Sequence, residues 1–403
     1  MADRDRVIVV GGGPVGYTTA ALLAQANIPF TLLEAGHRVA DEPRAGTIHP
    51  PTLELVASIG AIDAFLDRGF RVENYRYFDR TQGLIANFDL SVLGDLTPYP
   101  FRLMLEQHKV CFIMQELLAQ QSSPMDIRLD HEVTRVEQTD DGVRVVAATP
   151  QGEQVIDGRW VIGCDGGRSR VRKSMTVDFD GFTYPERFLI LSTPYDFGPH
   201  GYAFTNYIAD PEEWFALFKV PGPDGSGLWR VVSPVDPELP EDKVFADDAV
   251  QARIQRFRPL AAGYEIVHRN IYNVHQRVAS SFRQGRVLIA GDAAHINNPL
   301  GGMGMNFGIH DAFNLVEKLA MVWRGDADDD LLDVYDRQRR TVAQEYLQRQ
   351  TIENKNNIEQ KDPKEREKFY DSLRATVADP EALVTYLRRV TMMEGFARAA
   401  AIT

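Results

Sequence analysis

Three glycine-rich turns, each beside a carboxylate, carry most of the chemistry legible in this chain. The first is "GGGPVG" at 11–16, where Gly11, Gly13 and Gly16 fit G-x-G-x-x-G with Pro14 inside the turn. One such glycine permits the tight turn, one lets a pyrophosphate approach the backbone, and one lets helix and strand pack closely. A helix opening there offers free amides and a partial positive charge to phosphate. Glu34 follows Gly16 by eighteen residues. A carboxylate in that place accepts from a ribose 2′-hydroxyl and repels a 2′-phosphate, which favours FAD or NAD over NADP. The second turn is "GCDGGRSRVR" (163–172), with Asp165 just after the apolar "WVI". Its aspartate either binds amides, a ribose or a nicotinamide, or only shapes an Asp-Gly turn. The third is "GDAAHINNPLGGMGMN" (291–306), where Asp292 ends an apolar strand and Gly301, Gly302 and Gly304 lead into a helix. Ligands of open α/β sheets bind at such strand ends, and the first amides of such a helix need partners.

These turns need strands and helices to hold them. "VIVV" (7–10), "FTLLE" (30–34) and "RVLIAGD" (286–292) read as short buried strands, and residues 101–121 as a strand or turn entering a helix. Asp141-Gly142 and Gln151-Gly152 mark hairpins in an alternating stretch. Between 201 and 235, three β-like runs are parted by Asp210-Pro211 and "PGPDGSG". The expected fold class is α/β: a Rossmann-like dinucleotide-binding domain, an inserted and mostly antiparallel β-sheet domain for substrate, and a helical C-terminal segment. The expected boundaries are 1–175 with 265–345, then 176–264, then 346–403. The tail after 345 either packs on the core or pairs two subunits as a homodimer.

Composition excludes several partners. No run of eighteen apolar residues occurs, so no membrane partner is expected. The N-terminus enters a strand without a secretory pattern, so a cytoplasmic location is expected. Cys111 and Cys164 have no metal-ligand spacing around them, so no metal is expected. A net charge of −13 argues against a nucleic-acid partner.

In order and spacing, the three turns resemble the FAD-dependent aromatic hydroxylases, the single-component flavoprotein monooxygenases related to 4-hydroxybenzoate and 3-hydroxyphenylpropionate hydroxylases. The resemblance covers roughly residues 5–345. It implies an FAD-binding domain with Gly11, Gly13, Pro14, Gly16 and Glu34 at the ADP half and Arg44, in "RAG", at the pyrophosphate. It places Gln107 on the flavin chain, Asp165 between flavin and NAD(P)H functions, and Asp292 on the ribityl chain. Gly302, Gly304, Met305 and Asn306 would form the turn whose backbone donors meet the flavin's pyrimidine edge, with Pro299 beside flavin and substrate. The implied reaction consumes O2 and NADH or NADPH and hydroxylates a small phenolic or hydroxypyridine-type ring through a flavin C4a-hydroperoxide. No second G-x-G-x-x-G is present, so NADH and NADPH are not separated.

Substrate residues have no motif. The inserted sheet presents either Tyr202, Phe204 and Asn206 or Thr205 and Tyr207, and period-two alternation does not choose between them. Arg230 in "LWRVV" either pairs a carboxylate substrate or sits at the surface. His49 and His295 either lie near the flavin or are merely hydrogen-bonded. The substrate-side candidates are thus Pro299, His49, Tyr207 and Arg230. A halogenase is excluded, since Trp160, Trp214, Trp229 and Trp323 are isolated and form no W-x-W-x-I-P. The alternatives are a flavin oxidase or dehydrogenase, reduced by its own substrate, and a non-catalytic FAD-binding partner protein.

Overall fold

The computed structural model describes residues 4–39 and 46–403. Arg44 therefore lies outside the described residues. Val7–Val10, Phe30–Leu33, Trp160–Gly163 and Val287–Ile289 are buried at every position. Such uninterrupted apolar runs suit parallel strands covered on both faces. They do form a parallel sheet, extended by Met125–Arg128 beyond Phe30–Leu33 and closed at the other edge by antiparallel Arg283–Gln284. From Val7–Val10 the chain steps to one side, and its later strands add on the other. The order therefore reverses between Val7–Val10 and Trp160–Gly163, the position where open α/β sheets bind ligands.

Helix Pro14–Gln25 packs against the long helix Gly304–Arg324. A Cβ at Gly308 would come within 2.5 Å of the Val15 side chain and 3.0 Å of the Gly291 backbone, so this crossing requires glycine. Strands Glu132–Thr139, Gly142–Thr149 and Gly152–Gly158 make an antiparallel meander whose turns fall at the two expected hairpin signals.

The substrate-type sheet is wider than residues 176–264. Its eight strands include Phe179–Thr193, Thr205–Ala209, Phe215–Val220 and Leu228–Val235, as well as His268–Ala279 and the hairpin Asn74–Asp79/Gly83–Asp89. Thr205–Ala209 joins Asn74–Asp79 in parallel; the other pairs are antiparallel. Residues 74–89 turn at Gln82-Gly83, where Gly83 has φ +84° and the Asp79 carboxylate accepts from the Thr81 and Gln82 amides.

Alternation sorts this sheet's two faces. Phe188, Ile190, Ala216 and Val232 join Tyr75 and Tyr77 under the C-terminal helices, against Tyr370, Leu373 and Leu387. Leu189, Leu191, Leu217 and Val231 face helix Asp247–Phe257 through Val250 and Ile254. The C-terminal helices begin with aspartate caps followed by proline, Asp362-Pro363 and Asp379-Pro380, which satisfy the first amides and preset the first turn. The tail thus packs on the core. A π-helical turn, Ala343–Gln348, joins it to the nucleotide-binding unit.

Candidate active site

Strand register brings the motifs together. Val10 lies beside both Leu33 and Gly163, and Gly163 beside Ile289. The loops at Gly11, Glu34, Asp165 and Asp292 therefore leave the same edge of four adjacent strands. Gly11 has φ +105°, and a Cβ there would sit 2.4 Å from the Cys164 carbonyl oxygen. A Cβ at Gly16 would sit 1.8 Å from the Gly11 oxygen. Gly13 differs, because its Cβ would meet nothing within 4 Å. It caps helix Pro14–Gln25 without any side-chain hydrogen bond, so the helix N-terminus opens onto that space. The glycine there clears room for something other than protein, which fits the pyrophosphate of FAD. Glu34 accepts from the Gly12 amide at 2.5 Å and the Gly36 amide at 2.8 Å, holding the turn.

Gly13→Ala is accordingly expected to fold with a melting temperature within a few degrees of native yet lose FAD affinity at least tenfold. Gly16→Ala is expected to lose both. Flavin absorbance after gel filtration and a thermal scan measure the two effects. Native FAD affinity in Gly13→Ala would remove the phosphate assignment.

Asp165 is committed to its own loop. It accepts from the Ser169 hydroxyl and the Arg170 and Val171 amides, capping helix Arg170–Ser174. Burial pushes its pKa up against those bonds. The turn-shaping reading therefore accounts for its oxygens. Asp292 is exposed in the turn after Val287–Ile289, and half-buried Gln107 opens helix Gln107–Ala119.

The third turn is fixed from below. Gly301 and Gly302 have φ +107° and +66°, and a Cβ at Gly302 would meet the Thr47 side chain at 2.5 Å. Helix Gly304–Arg324 then starts without a side-chain cap, leaving the amides of Gly304, Met305 and Asn306 beyond intrahelical reach. The Asn306 side chain is fully engaged. Its oxygen accepts from the His49 amide and the Thr52 hydroxyl, and its nitrogen donates to the Thr47 and Gly302 carbonyls.

One helical turn further on, Asp311 is fully buried. It accepts from the Gly291 amide at 3.0 Å and Arg339 Nε at 2.6 Å, and meets His295 Nε2 at 2.7 Å. Burial raises its acid pKa, but His295 and Arg339 outweigh this and hold the carboxyl below its usual range. Asp311 thereby positions the turn carrying Asp292. Nothing beside Asp311 in the sequence marks it, since its side-chain partners lie 16 and 28 residues away.

A second buried cluster joins His49 to Arg102, which the sequence reading did not single out. Thr47 and Ile48 pair antiparallel with Met104 and Leu103, and His49, just past this pairing, lies within the field of the Arg102 charge. His49 is fully buried and its Nε2 lies 2.9 Å from the Gly301 carbonyl oxygen. A carbonyl only accepts, so the proton is assigned to Nε2 and Nδ1 carries a lone pair. That Nδ1 is buried and has no partner. Burial and then the nearby Arg102 charge keep the imidazole pKa well below its ordinary value, so the ring is neutral. Arg102 is 2% exposed; Nη2 reaches the Val390 carbonyl at 3.4 Å, the Tyr207 hydroxyl lies beside the guanidinium, and Nε and Nη1 make no hydrogen bond of normal geometry. Its guanidinium lies 4.5 Å from the centroid of the Tyr75 ring. Burial raises the pKa of Tyr75, Tyr207 and Tyr386, with the Arg102 charge opposing, so all three remain protonated.

Of the two alternating sets, Thr205 and Tyr207 face this region. Thr205 abuts Met104, and Tyr207 lies within the influence of Arg102 and Gly301. Asn206 bonds to Ala203 instead, and Tyr202 packs with Phe78, Phe197 and Phe257 on the far face. Arg230 is not at the surface. It is buried, with the Glu106 charge opposing the lowering of its pKa by burial. Glu106 also pairs with Lys109 and accepts from the Gly222 amide at the start of helix Gln107–Ala119. Pro299 is exposed, two residues before the carbonyl that holds His49. His295 belongs to the Asp311 cluster.

A parallel sheet with a switch point, a cleared pyrophosphate turn and a second loop at a buried helix start define a flavin-binding oxygenase framework. The FAD binding domain family matches residues 4–350, and the chain belongs to it, among the flavoprotein aromatic hydroxylases; it is an FAD-dependent monooxygenase. It is 37% identical over 373 residues to para-nitrophenol 4-monooxygenase of Pseudomonas sp. strain WBC-3, covering 91% of this chain and 90% of that one. It is 32% identical over 399 residues to 6-hydroxy-3-succinoylpyridine 3-monooxygenase of Pseudomonas putida S16, covering 96% and 100%. The crystal structure of p-nitrophenol 4-monooxygenase from Pseudomonas putida DLL-E4 superposes with a TM-score of 0.92 at 34% identity, over 98% of each chain. Among the described residues, no helix is long and apolar enough to cross a membrane.

Proposed function

We propose that this monooxygenase hydroxylates a phenolic or hydroxypyridine-type ring, with O2 and NADH or NADPH, in the breakdown of aromatic compounds. The observation that carries this reading is a buried acceptor without a partner, His49 Nδ1, beside the buried Arg102 charge, whose Nε and Nη1 make no hydrogen bond of normal geometry. Buried polar atoms without partners are rare in native proteins. A ring hydroxyl supplies what both lack: its O–H donates to His49 Nδ1 while its oxygen accepts from Arg102. The Arg102 charge favours the phenolate, whose ring is the stronger nucleophile toward oxygen. His49 Nδ1 accepts the hydrogen bond of the neutral hydroxyl and stays uncharged, so the proton lost when the ring ionises passes to solvent. Tyr75, Tyr207 and Tyr386 remain donors for a polar ring substituent. The relatives named for para-nitrophenol and 6-hydroxy-3-succinoylpyridine support this class of ring.

Gly11, Gly13, Gly16 and Glu34 would hold the adenine end of FAD, and Asp292 with the amides after Gly302 its ring end. When bound and reduced, FAD supplies the activated oxygen. The N-terminus of helix Gly304–Arg324 favours negative charge at the flavin ring edge.

The test is a panel of phenols and hydroxypyridines with purified holoenzyme. A yellow protein is expected, whose NAD(P)H oxidation accelerates with one ring class and yields a product bearing a hydroxyl oxygen from O2. Flavin reduction by the aromatic compound alone, without nicotinamide, would replace this reading with an oxidase or dehydrogenase.

A further inference from the structure

The loop carrying Pro299 is gripped by a buried cluster of amides and one hydroxyl that no glycine motif contains. Asn298 is fully buried. Its side-chain nitrogen donates to the Thr351 carbonyl at 2.9 Å and to Gln276 Oε1 at 3.2 Å. Its side-chain oxygen accepts from the Leu300 amide, and its own amide donates to Gln276 Oε1. Gln276, on strand His268–Ala279, donates in turn to the Thr351 hydroxyl at 2.9 Å. From the same helix, Asn354 Nδ2 donates to the Leu300 carbonyl at 3.0 Å. Gln348, ending the π-helical turn, donates to the Ile296 carbonyl at 3.1 Å. A π-bulge shifts the register of the helix that follows, and such bulges gather at functional sites. Here the following helix, Arg349–Ile358, carries both Thr351 and Asn354 to the loop. The outer end of the network reaches the last helices, where Arg389 bonds Gln350, which bonds Asn354.

The opposite side of the loop is held by His49 through the Gly301 carbonyl. A loop clamped from both sides cannot shift without breaking buried hydrogen bonds, and fully satisfied buried networks specify one arrangement. The geometry points to Gln276, Asn298, Thr351 and Asn354 as positioning residues that set how closely the Pro299–Gly302 loop holds the ring to the site of oxygen transfer. The inference rests on the proposed hydroxylation. With the loop in place, reduced nicotinamide, a proton, O2 and the aromatic ring yield oxidised nicotinamide, the hydroxylated ring and water. With the loop displaced, reduced nicotinamide, a proton and O2 yield oxidised nicotinamide and hydrogen peroxide. Small displacements at a reacting centre cost large rate factors, which the competing route does not share.

The test uses Thr351→Val, which keeps side-chain shape and removes the hydroxyl, its rescue Thr351→Ser, and Asn354→Ala. In the native holoenzyme and each variant, product formed per nicotinamide oxidised is measured beside hydrogen peroxide. Hydrogen exchange at Leu300 and Gly302 is followed in the cofactor-free chain. The expected result is at least a twofold fall in the product ratio for Thr351→Val and Asn354→Ala, with matching peroxide, and at least tenfold faster exchange in the loop. Thr351→Ser should restore both. A product ratio unchanged in both variants, or one that Thr351→Ser fails to restore, overturns the inference. If the native enzyme hydroxylates no ring, the proposed function fails instead, and the exchange rates alone then decide whether the clamp exists.

Discussion

Arg102→Met is expected to lower kcat/KM for the ring substrate about a hundredfold while leaving bound FAD in place. Hydrogen bonds between a buried charged side chain and its partner typically contribute about 2–5 kcal/mol when one side is deleted, and about 2.7 kcal/mol corresponds to a factor of a hundred. Methionine keeps much of the arginine stem's packing against Tyr75, so the change falls on the guanidinium donors and the charge. Arg102→Lys should recover only a small part, because an ammonium lacks the planar set of donors at Nε and Nη1. A second readout separates binding from structure. Phenol bound to the native enzyme should ionise below its solution pKa, and that shift should vanish in Arg102→Met. A variant with kcat/KM within threefold of native, or one that keeps the shift, would remove Arg102 from the substrate site.

Asp311→Asn is expected to cost at least about 3 kcal/mol of folding stability and most of the bound FAD. Removing one member of a buried ion pair leaves the other uncompensated, at about 3–5 kcal/mol. Asparagine removes the counter-charge of Arg339 and keeps only one acceptor oxygen, so its amide nitrogen faces either Arg339 or the Gly291 amide and His295. The effect also depends on pH. Asp311 has a folded pKa below its unfolded value, so its stabilisation is fully present above the unfolded pKa of about 3.9. It is lost as pH falls from there through the lower folded value. Denaturant unfolding of native protein should therefore weaken in that acidic window more than unfolding of Asp311→Asn. Equal acid sensitivity in the two proteins would falsify the assignment of a depressed carboxyl.

The motifs were legible because their physics is local. A strand, a glycine turn, a helix start and an acid at set spacing occupy about thirty consecutive residues, and Gly11, Gly16 and Glu34 took the places their types required. Gly301 and Gly302 were equally local, since positive φ is a property of single residues. Arg102 was not legible. Nothing near it in "FRLM" marks a site, and its importance arises from its closeness to His49 and from the arrival of Tyr386 and Val390 far along the chain. Arg230 stayed open for a related reason, because alternation gives two faces and not which one is covered. Asp165 shows the reverse limit: its sequence context resembles a ligand contact, while its oxygens cap the next helix. The hairpin at 74–89 was passed over although Gln82-Gly83 in its turn is the same kind of pair as Gln151-Gly152, with Gly83 at φ +84° and Asp79 bonding the turn amides.

The strand order has a consequence for how the protein is made. The glycine turn at 11–16 leaves the ribosome early, but the strands on one side of Val7–Val10, Trp160–Gly163 and then Val287–Ile289, are synthesised much later. Pairings so distant in sequence form slowly, because long loops must close before any contact rewards them. A nascent chain that already contains the whole dinucleotide motif still lacks the turn after Ala290 and the helix crossing Val15. Chains truncated before those elements are expected to stay colourless, and yellow colour is expected only when the sheet is complete.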